Sequence, residues 1–162
     1  MRTLILAAAL GLAGMGAAWA QGMTAQDFVN KAGSGGMFEV QSSELALQRS
    51  QDAKVQEFAN MMIKDHTANN EELMAIAKNQ SLMAPAELMP PHSDMMQAVQ
   101  AAEGDGFDAA YAQNQVTAHE SAVDLFKTYS EGGDDEALVA YAKKSLPVLQ
   151  QHLEQAQGLG AQ

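Results

Sequence analysis

The chain has 162 residues, no cysteine and a formal net charge of −11. Without cysteine there are no disulfides, thiolate nucleophiles or cysteine metal sites, so packing or a bound ion must hold the fold. The negative charge argues against a nucleic-acid partner, because affinity for nucleic acid comes mainly from Lys and Arg side chains that neutralise phosphates.

The first twenty residues have the pattern of a secretory signal peptide. Arg2 is a positively charged start, residues 4–18 are apolar, and Ala-Trp-Ala at 18–20 is a small–x–small cleavage site. We therefore predict cleavage near Ala20, one domain over residues 21–162, and a periplasmic or secreted location. An uncleaved N-terminal anchor is the alternative. No later apolar run approaches the roughly 18 residues that a membrane-spanning helix needs.

Two long helices are predicted in the first half of the mature chain. The first begins at Thr24, which with Asp27 resembles a capping box, and its apolar pattern runs to about Arg49. Glycines between residues 33 and 36 weaken it, so we expect either one helix with a soft spot or two short ones. Ser50 or Asp52 caps the second helix.

The second long helix ends near Gln80 and is followed by an irregular stretch. Its apolar stripe at steps of three and four includes His66. Residues 81–92 contain three of the four prolines and no periodicity, which predicts a linker. A short helix, capped by Ser93 or Asp94, is expected from Met95 to Ala102.

Two more long helices are predicted in the second half. Asp105 is expected to cap the third, whose inner side includes His119. Asp134 is expected to cap the fourth, whose stripe includes His152. Pro147 lies inside the fourth helix and should kink it, because proline removes one backbone hydrogen bond.

The order of these elements predicts an all-α fold. The pattern contains four long helices, two tight hairpins, a long connection between helices two and three, and one short extra helix. This describes an antiparallel four-helix bundle, and a ferritin-like bundle has its crossover at the same connection.

Four segments of the helices also carry a family resemblance. They are Phe-Glu-Val and Glu-Leu-Ala within 38–46, Phe-Ala-x-Met-Met-Ile-x-Asp-His at 58–66, Tyr-x3-Gln-Val-x2-His at 111–119, and Leu-Pro-x-Leu-x2-His-Leu at 146–153. Together they resemble a bacterial exported domain-of-unknown-function family of the ferritin-like superfamily, with members described as periplasmic or outer-membrane proteins. The resemblance implies the ferritin-like bundle and no particular activity.

The sequence departs from the di-iron proteins of that superfamily. Those proteins usually carry Glu-x-x-His on two helices. The residues three positions before the three histidines are Ile63, Val116 and Leu149. A mononuclear, histidine-rich site fits this chain better than a di-iron site.

His66, His119 and His152 each lie on the inward stripe of a different predicted helix. They form a candidate ligand set for one transition-metal ion, whose identity the sequence leaves open, and Glu39 from the first helix is the candidate fourth ligand. With 1.5 Å per residue, Glu39 lies within about 6 Å of the level of His66 along the axis, and Glu44 about 13 Å away.

The same arithmetic separates two of the histidines. His152 lies roughly 9 Å further along the bundle than His119, so a pair with a satellite is as plausible as a triad. In the main alternative the rings are hydrogen-bonded core groups of a structural or envelope-interaction protein, with Asp65 and Asn69 near His66. A metal-dependent oxidoreductase is a further alternative, which requires an open coordination position and a pocket.

A second cluster combines methionine and histidine in and beside the proline-rich linker. Its members are Met83, Met89, His92, Met95 and Met96. Thioethers and imidazole suit Cu(I), but methionine is also an adaptable filler of helix packing. We interpret these residues as packing groups, with copper binding as the alternative, and no substrate or protein partner follows from the sequence.

Overall fold

The computed structural model describes residues 22–104 and 106–159. They form five helices, which are α1 (Ala25–Arg49), α2 (Ala53–Asn79), α3 (His92–Ala101), α4 (Gly106–Gly132) and α5 (Glu136–Leu159). No strand occurs in these residues, so the predicted all-α fold is confirmed. None of the helices described is both long and apolar enough to cross a membrane. The predicted signal peptide (1–20) and the predicted cap Asp105 lie outside the described residues.

The helix starts follow the predicted caps at two of the four places within the described residues. The Thr24 hydroxyl accepts a hydrogen bond from the Asp27 N–H, as in a capping box, and donates one to the Asp27 carboxylate, which in a capping box would accept from the backbone N–H of the cap residue. The Asp52 carboxylate accepts from the first backbone N–H groups of α2. The prediction of Asp134 as the cap of α5 was wrong: Asp135 caps the helix, because the Asp134 carboxylate accepts from the Tyr129 hydroxyl.

The first helix runs without a break through its glycines. A side chain at Gly36 would overlap the Asn70 amide of α2, and a Cβ atom at Gly33 would lie 3.0 Å from the Pro85 ring. These glycines therefore let α2 and the linker approach α1 closely, and the packing gained there offsets their low helix propensity.

The short helix α3 begins three residues earlier than predicted. The Pro91 carbonyl accepts hydrogen bonds from the N–H groups of Asp94 and Met95, both at 3.0 Å. This backbone turn starts the helix at His92 with no side-chain cap, so the Ser or Asp cap expected from the sequence is not used.

The four long helices form a square in which all neighbours are antiparallel. On the α1–α4 side, Ser43 is bonded to Tyr111 and Phe28 stacks on Tyr129, so residue numbers rise in opposite directions. The α2–α5 side runs antiparallel in the same way. The chain must therefore cross the length of the bundle between α2 and α4, which is the crossover connectivity of ferritin-like bundles. Membership of that superfamily stays a prediction.

Two apolar clusters fill the ends of the bundle and a polar layer separates them. One cluster contains Phe28, Leu73, Phe126, Tyr129, Leu138, Tyr141 and their neighbours. The other contains Ala46, Val55, Phe58, Met62, Phe107, Tyr111 and Ala156. In three of the helices a buried histidine lies between the residues of the two clusters, and the histidines therefore share one level of the bundle.

Candidate metal centre

The three inward histidines meet in the polar layer. Ring centroids are 5.5 Å apart for His66 and His119, 5.4 Å for His66 and His152, and 5.6 Å for His119 and His152. One ring nitrogen from each lies within 4.8 Å of the other two. All three side chains are buried. The sequence left a triad and a pair with a satellite equally open, and the structure has the triad.

The turn between α4 and α5 explains why His119 and His152 are closer than the helix arithmetic indicated. The turn is centred on Asp134, which puts His119 level with Leu149 and leaves His152 only about 4.5 Å further along. Side chains lean toward the N-terminus of their own helix, and in an antiparallel pair this brings the two rings toward each other. Together these effects remove the predicted gap.

The hydrogen bonds of two rings determine which nitrogen faces the centre. His119 Nδ1 lies 2.9 Å from the Gln115 carbonyl oxygen, to which it donates its proton, so Nε2 is left with a free lone pair. His152 Nε2 lies 3.2 Å from Asp65 Oδ2 and donates to that carboxylate, so Nδ1 is left free. Both contacts orient a ring as an outer hydrogen bond orients a metal ligand.

Each of the three rings has a buried nitrogen without a hydrogen-bond partner among the described residues. These atoms are His66 Nε2, His119 Nε2 and His152 Nδ1. Buried polar atoms are nearly always hydrogen-bonded in folded proteins, because an unpaired one costs about 1–3 kcal/mol. Three such atoms from three helices in one layer form a donor set that an ion of suitable size would satisfy.

Burial keeps these imidazoles neutral. It lowers the pKa of His66 well below its usual value, and the neighbouring His119 and His152 lower it further. Burial also lowers the pKa of His119 to about 4, against an opposing effect of the bond to the Gln115 carbonyl. The pKa of His152 is lowered by burial despite the nearby Asp65. A neutral ring has the lone pair that a metal requires, so the rings are ready to ligate at neutral pH.

The fourth candidate ligand, Glu39, lies behind His119 and outside the group of three. Its Oε1 is 3.4 Å from His119 Nδ1, on the side of the ring away from Nε2. The side chain is buried, and burial raises the pKa of Glu39 to about 8, with a smaller opposing effect of Gln115. Glu39 is therefore placed to support His119, and the competing candidate Glu44 is exposed.

Sequence reasoning missed the partner of His152. Asp65 precedes His66 in the chain and was assigned to that ring, but its carboxylate crosses from α2 to α5 and contacts His152. The two helices are not consecutive, so their register does not follow from a hairpin. The signal was the Asp-His pair itself, which puts a carboxylate beside a histidine on an inner face.

Other polar side chains of the layer are paired with one another. Ser43 and the Tyr111 hydroxyl are 2.8 Å apart, and the Gln115 amide donates to Ser42 at 3.0 Å. On the opposite side Ser145 donates to the Asn69 side chain at 2.9 Å. Among the described residues of the layer, the buried polar atoms without a hydrogen-bond partner are therefore the three histidine nitrogens, Glu39 Oε2 and Gln115 Oε1.

Two cavities flank the histidine layer. A cavity of about 440 Å³ lies on the α1–α4 side and includes Glu39 and His66 in its wall. A second of about 280 Å³ lies between α2 and α5 and includes Asp65, His66 and His152. His66 lines both, and the centre is therefore approached from two sides of the bundle.

The methionine–histidine segment does not join this centre. His92 Nδ1 is bonded to Ser34 Oγ at 3.0 Å and the ring stacks on Phe38. Met96 is buried in the core, whereas Met83 is 77% exposed. Part of the segment thus packs against the core, as interpreted from the sequence. Copper binding by these residues stays an untested alternative.

Comparisons with known proteins agree with the fold. The sequence model of the family described as a domain of unknown function, DUF4142, matches residues 12–159. No curated protein matches the chain. Among solved structures, CopM in the Cu(II)-bound form has a TM-score of 0.72 at 16% identity, covering 86% of this chain and 97% of CopM.

Two further structures have the same arrangement of helices. CopM in the Cu(I)-bound form has a TM-score of 0.69 at 15% identity, with 83% of this chain and 94% of that chain covered. A DUF305 fragment from Deinococcus radiodurans has a TM-score of 0.68 at 15% identity, with 88% and 100% covered. At such identities the likeness shows the shared fold alone.

Proposed function

We propose that this chain, which belongs to the DUF4142 family of domains of unknown function, binds one copper ion through His66, His119 and His152. The observation that carries the proposal is the convergence of three buried, unpartnered imidazole nitrogens from three helices. The protein is then a metal-binding module, and the signal peptide predicted from its sequence would direct it to an exported compartment.

The donor set favours copper over other divalent ions. The chain has no thiol, and neutral imidazole is a good ligand for copper and zinc. For a given set of nitrogen donors the affinity of first-row ions rises to Cu²⁺ and falls again at Zn²⁺. CopM, whose fold is similar, has been solved in copper- and silver-bound forms, which supports copper as the first ion to test.

The residues around the rings are arranged to hold them for an ion. The Gln115 carbonyl and Glu39 lie beside the outer nitrogen of His119, and Asp65 beside that of His152. Metal–nitrogen bonds of about 2.0–2.1 Å require donor atoms about 3.3–3.6 Å apart. The ring nitrogens lie within 4.8 Å of one another, so they need to approach by at most about 1.5 Å.

A purely structural role for the histidines explains the layer less well. A ring that fixes helix register needs hydrogen bonds to do so. His119 and His152 each have such a contact at one nitrogen, but His66 Nε2 has none in the described protein. The structural role therefore leaves the unpaired atoms unexplained, and copper binding explains all three.

The test is copper binding by mature protein purified without a histidine tag or chelator. We expect one copper per chain by elemental analysis and by titration, and nitrogen hyperfine splitting from the bound Cu(II) in electron paramagnetic resonance. Replacing His66, His119 or His152 by Ala should abolish stoichiometric binding, whereas His92→Ala is the matched control, because His92 lies outside the group.

The copper proposal fails if the wild-type protein binds no copper above the level of the triple-histidine variant. It also fails if His92→Ala removes the copper while His119→Ala keeps it, since the ion would then lie in the proline-rich segment.

A further inference from the structure

The larger cavity has the properties of a small-molecule site. It lies between α1, α4 and residues 89–92 and encloses about 440 Å³, within the range of roughly 300–1,000 Å³ typical of ligand pockets. Small residues on the facing helices create the space, among them Ala32 and Gly35 on α1 and Ala118 and Ala122 on α4. Larger side chains at these positions would close it.

The polar groups of the wall are either exposed or bonded to protein, with few exceptions. Lys31, Asp124 and Thr128 are exposed at its rim. Ser34 Oγ accepts from the Met89 N–H at 2.8 Å and is bonded to His92. Asn69 Oδ1 accepts from Ser145, and the Ser121 hydroxyl donates to the Thr117 carbonyl oxygen. These groups have little free hydrogen-bonding capacity for a ligand.

Among the described wall residues outside the copper ligands, one has a buried polar atom without a hydrogen-bond partner. Glu39 is 3% exposed, lines the cavity, and its Oε2 has no hydrogen-bond partner among the described residues. A buried carboxyl oxygen without a partner carries a desolvation cost that a bound molecule would remove. Glu39 thus provides a buried polar point in a mainly apolar pocket whose charged residues Lys31 and Asp124 are exposed.

We propose that this cavity binds a small, largely apolar molecule carrying one hydroxyl group, an alcohol or a phenol, with the hydroxyl at Glu39. A hydroxyl group both donates and accepts, so it pairs with the carboxyl group in either of its protonation states. The apolar body occupies the space left by the small residues of α1 and α4.

Water alone fills such a cavity poorly. A buried water molecule is stable where it makes about three hydrogen bonds to protein, and this wall offers few free partners. Replacing weakly bonded water by an apolar group is favourable, provided that the polar point keeps a hydrogen bond.

The first experiment uses 1-naphthol and naphthalene as a matched pair of fluorescent probes, with metal-free full-length protein. We expect saturable binding of one 1-naphthol per chain and roughly tenfold weaker binding of naphthalene, which lacks the hydroxyl group. Absence of saturable 1-naphthol binding, or equal affinity for the two probes, overturns the proposal.

A second experiment locates the bound probe. Ala122→Phe places a ring in the cavity and should abolish binding, whereas Ala109→Phe makes the same change on an exposed position of the same helix and should not. Circular dichroism confirms that both variants fold. If both bind 1-naphthol like the wild type, the probe lies elsewhere and the proposal is wrong.

A third experiment tests the polar point. Glu39→Met keeps the length of the side chain but removes its hydrogen bonds, so the preference for 1-naphthol over naphthalene should disappear. Glu39→Gln retains a donor and an acceptor and should keep most of it. A preference unchanged in Glu39→Met excludes Glu39 as the anchor.

The inference does not rest on copper. All probe measurements use protein treated with chelator, and His152→Ala, which should lose copper but does not line the cavity, is expected to bind 1-naphthol as the wild type does. Loss of copper binding with probe binding intact, or the reverse, therefore separates failure of one proposal from failure of the other.

Discussion

The aromatic cluster around Phe28 and the histidine layer are both buried, but the hydrogen bonds of their polar atoms differ. Phe28 is fully buried, stacks on Tyr129 with centroids 4.1 Å apart, and meets the edge of Phe126 at 5.1 Å. The hydroxyl groups there have partners, since Tyr129 donates to Asp134 and Tyr141 to the Asn69 carbonyl oxygen. In the histidine layer buried polar atoms remain unpaired.

This contrast shows that the ends of the bundle stabilise the fold, whereas the histidine layer costs free energy. Close-packed apolar and aromatic side chains at the ends stabilise the fold through burial. The layer between them carries polar atoms that apolar side chains of similar size would replace at no loss. A layer that costs free energy between two well-packed ends is consistent with a site for a ligand.

The largest effect should come from breaking the aromatic cluster. Phe28→Ala leaves a cavity between Tyr129, Phe126 and Tyr141 and should lower the free energy of unfolding by about 3–5 kcal/mol in urea denaturation. If the two regions are independent, folded Phe28→Ala should retain copper affinity. A loss of copper affinity in the folded variant would mean that the ends also control the geometry of the layer.

The next effect separates the layer from the core. His66→Leu removes an unpaired nitrogen, so the metal-free variant should unfold within about 1 kcal/mol of the wild type, or be more stable. The wild type should gain about 2.7 kcal/mol when free copper is a hundred times its Kd, and the variant should gain none. Chemical denaturation with and without copper measures both. A metal-free loss above about 3 kcal/mol would instead assign His66 to the core.

A smaller effect is expected at the outer hydrogen bonds. Asp65→Asn weakens the contact that orients His152, and such changes usually cost 10–100-fold in metal affinity. Glu72→Gln is the matched control, because Glu72 is also a carboxylate of α2 that reaches α5 but pairs with Lys144. A competitive copper titration of both variants measures the difference. Equal affinities would remove Asp65 from the site.

The sequence predicted the ends of the bundle better than the layer. Steps of three and four among apolar residues identify a helix and its buried face without any knowledge of neighbours, and Thr24 and Asp52 cap locally. The choice between Asp134 and Asp135 depended on Tyr129, a contact across a turn. The partner of Asp65 depended on the register of two helices that are not consecutive, which periodicity does not contain.

The same limit applies to Glu39. Its position along α1 predicted a residue near the level of His66, and it is buried there, but the rotation of the helix directs its carboxyl group to His119. Axial distance follows from counting residues, whereas direction around the axis depends on how all four helices pack. The sequence therefore indicated the members of the layer but not their pairing.

The pH dependence of stability gives the smallest and most specific test of the layer. In the metal-free protein, His119 has a pKa of about 4 when folded and 6.5 ordinarily, so the unfolded chain takes up the proton first and stability falls as the pH drops from about 6.5 to about 4. His66 and His152, whose pKa values are also lowered, act in the same direction.

Glu39 acts in the opposite direction between pH 4.5 and about pH 8. Its pKa is about 8 when folded and 4.5 ordinarily, so the folded protein holds a proton that the unfolded chain has lost. The histidines of the unfolded chain still titrate near pH 6.5, so the effect of Glu39 is measured against Glu39→Gln, in which the same histidines titrate. Relative to that variant, the wild type should lose about 1.5 kcal/mol of stability between pH 6.5 and pH 8. Urea denaturation of both metal-free proteins from about pH 4.5 to about pH 8 measures the difference, which should grow as the pH rises. If the wild type and Glu39→Gln show the same pH dependence of stability, another group titrates. The Glu39 carboxyl group would then not be an unpaired, destabilising group of the layer.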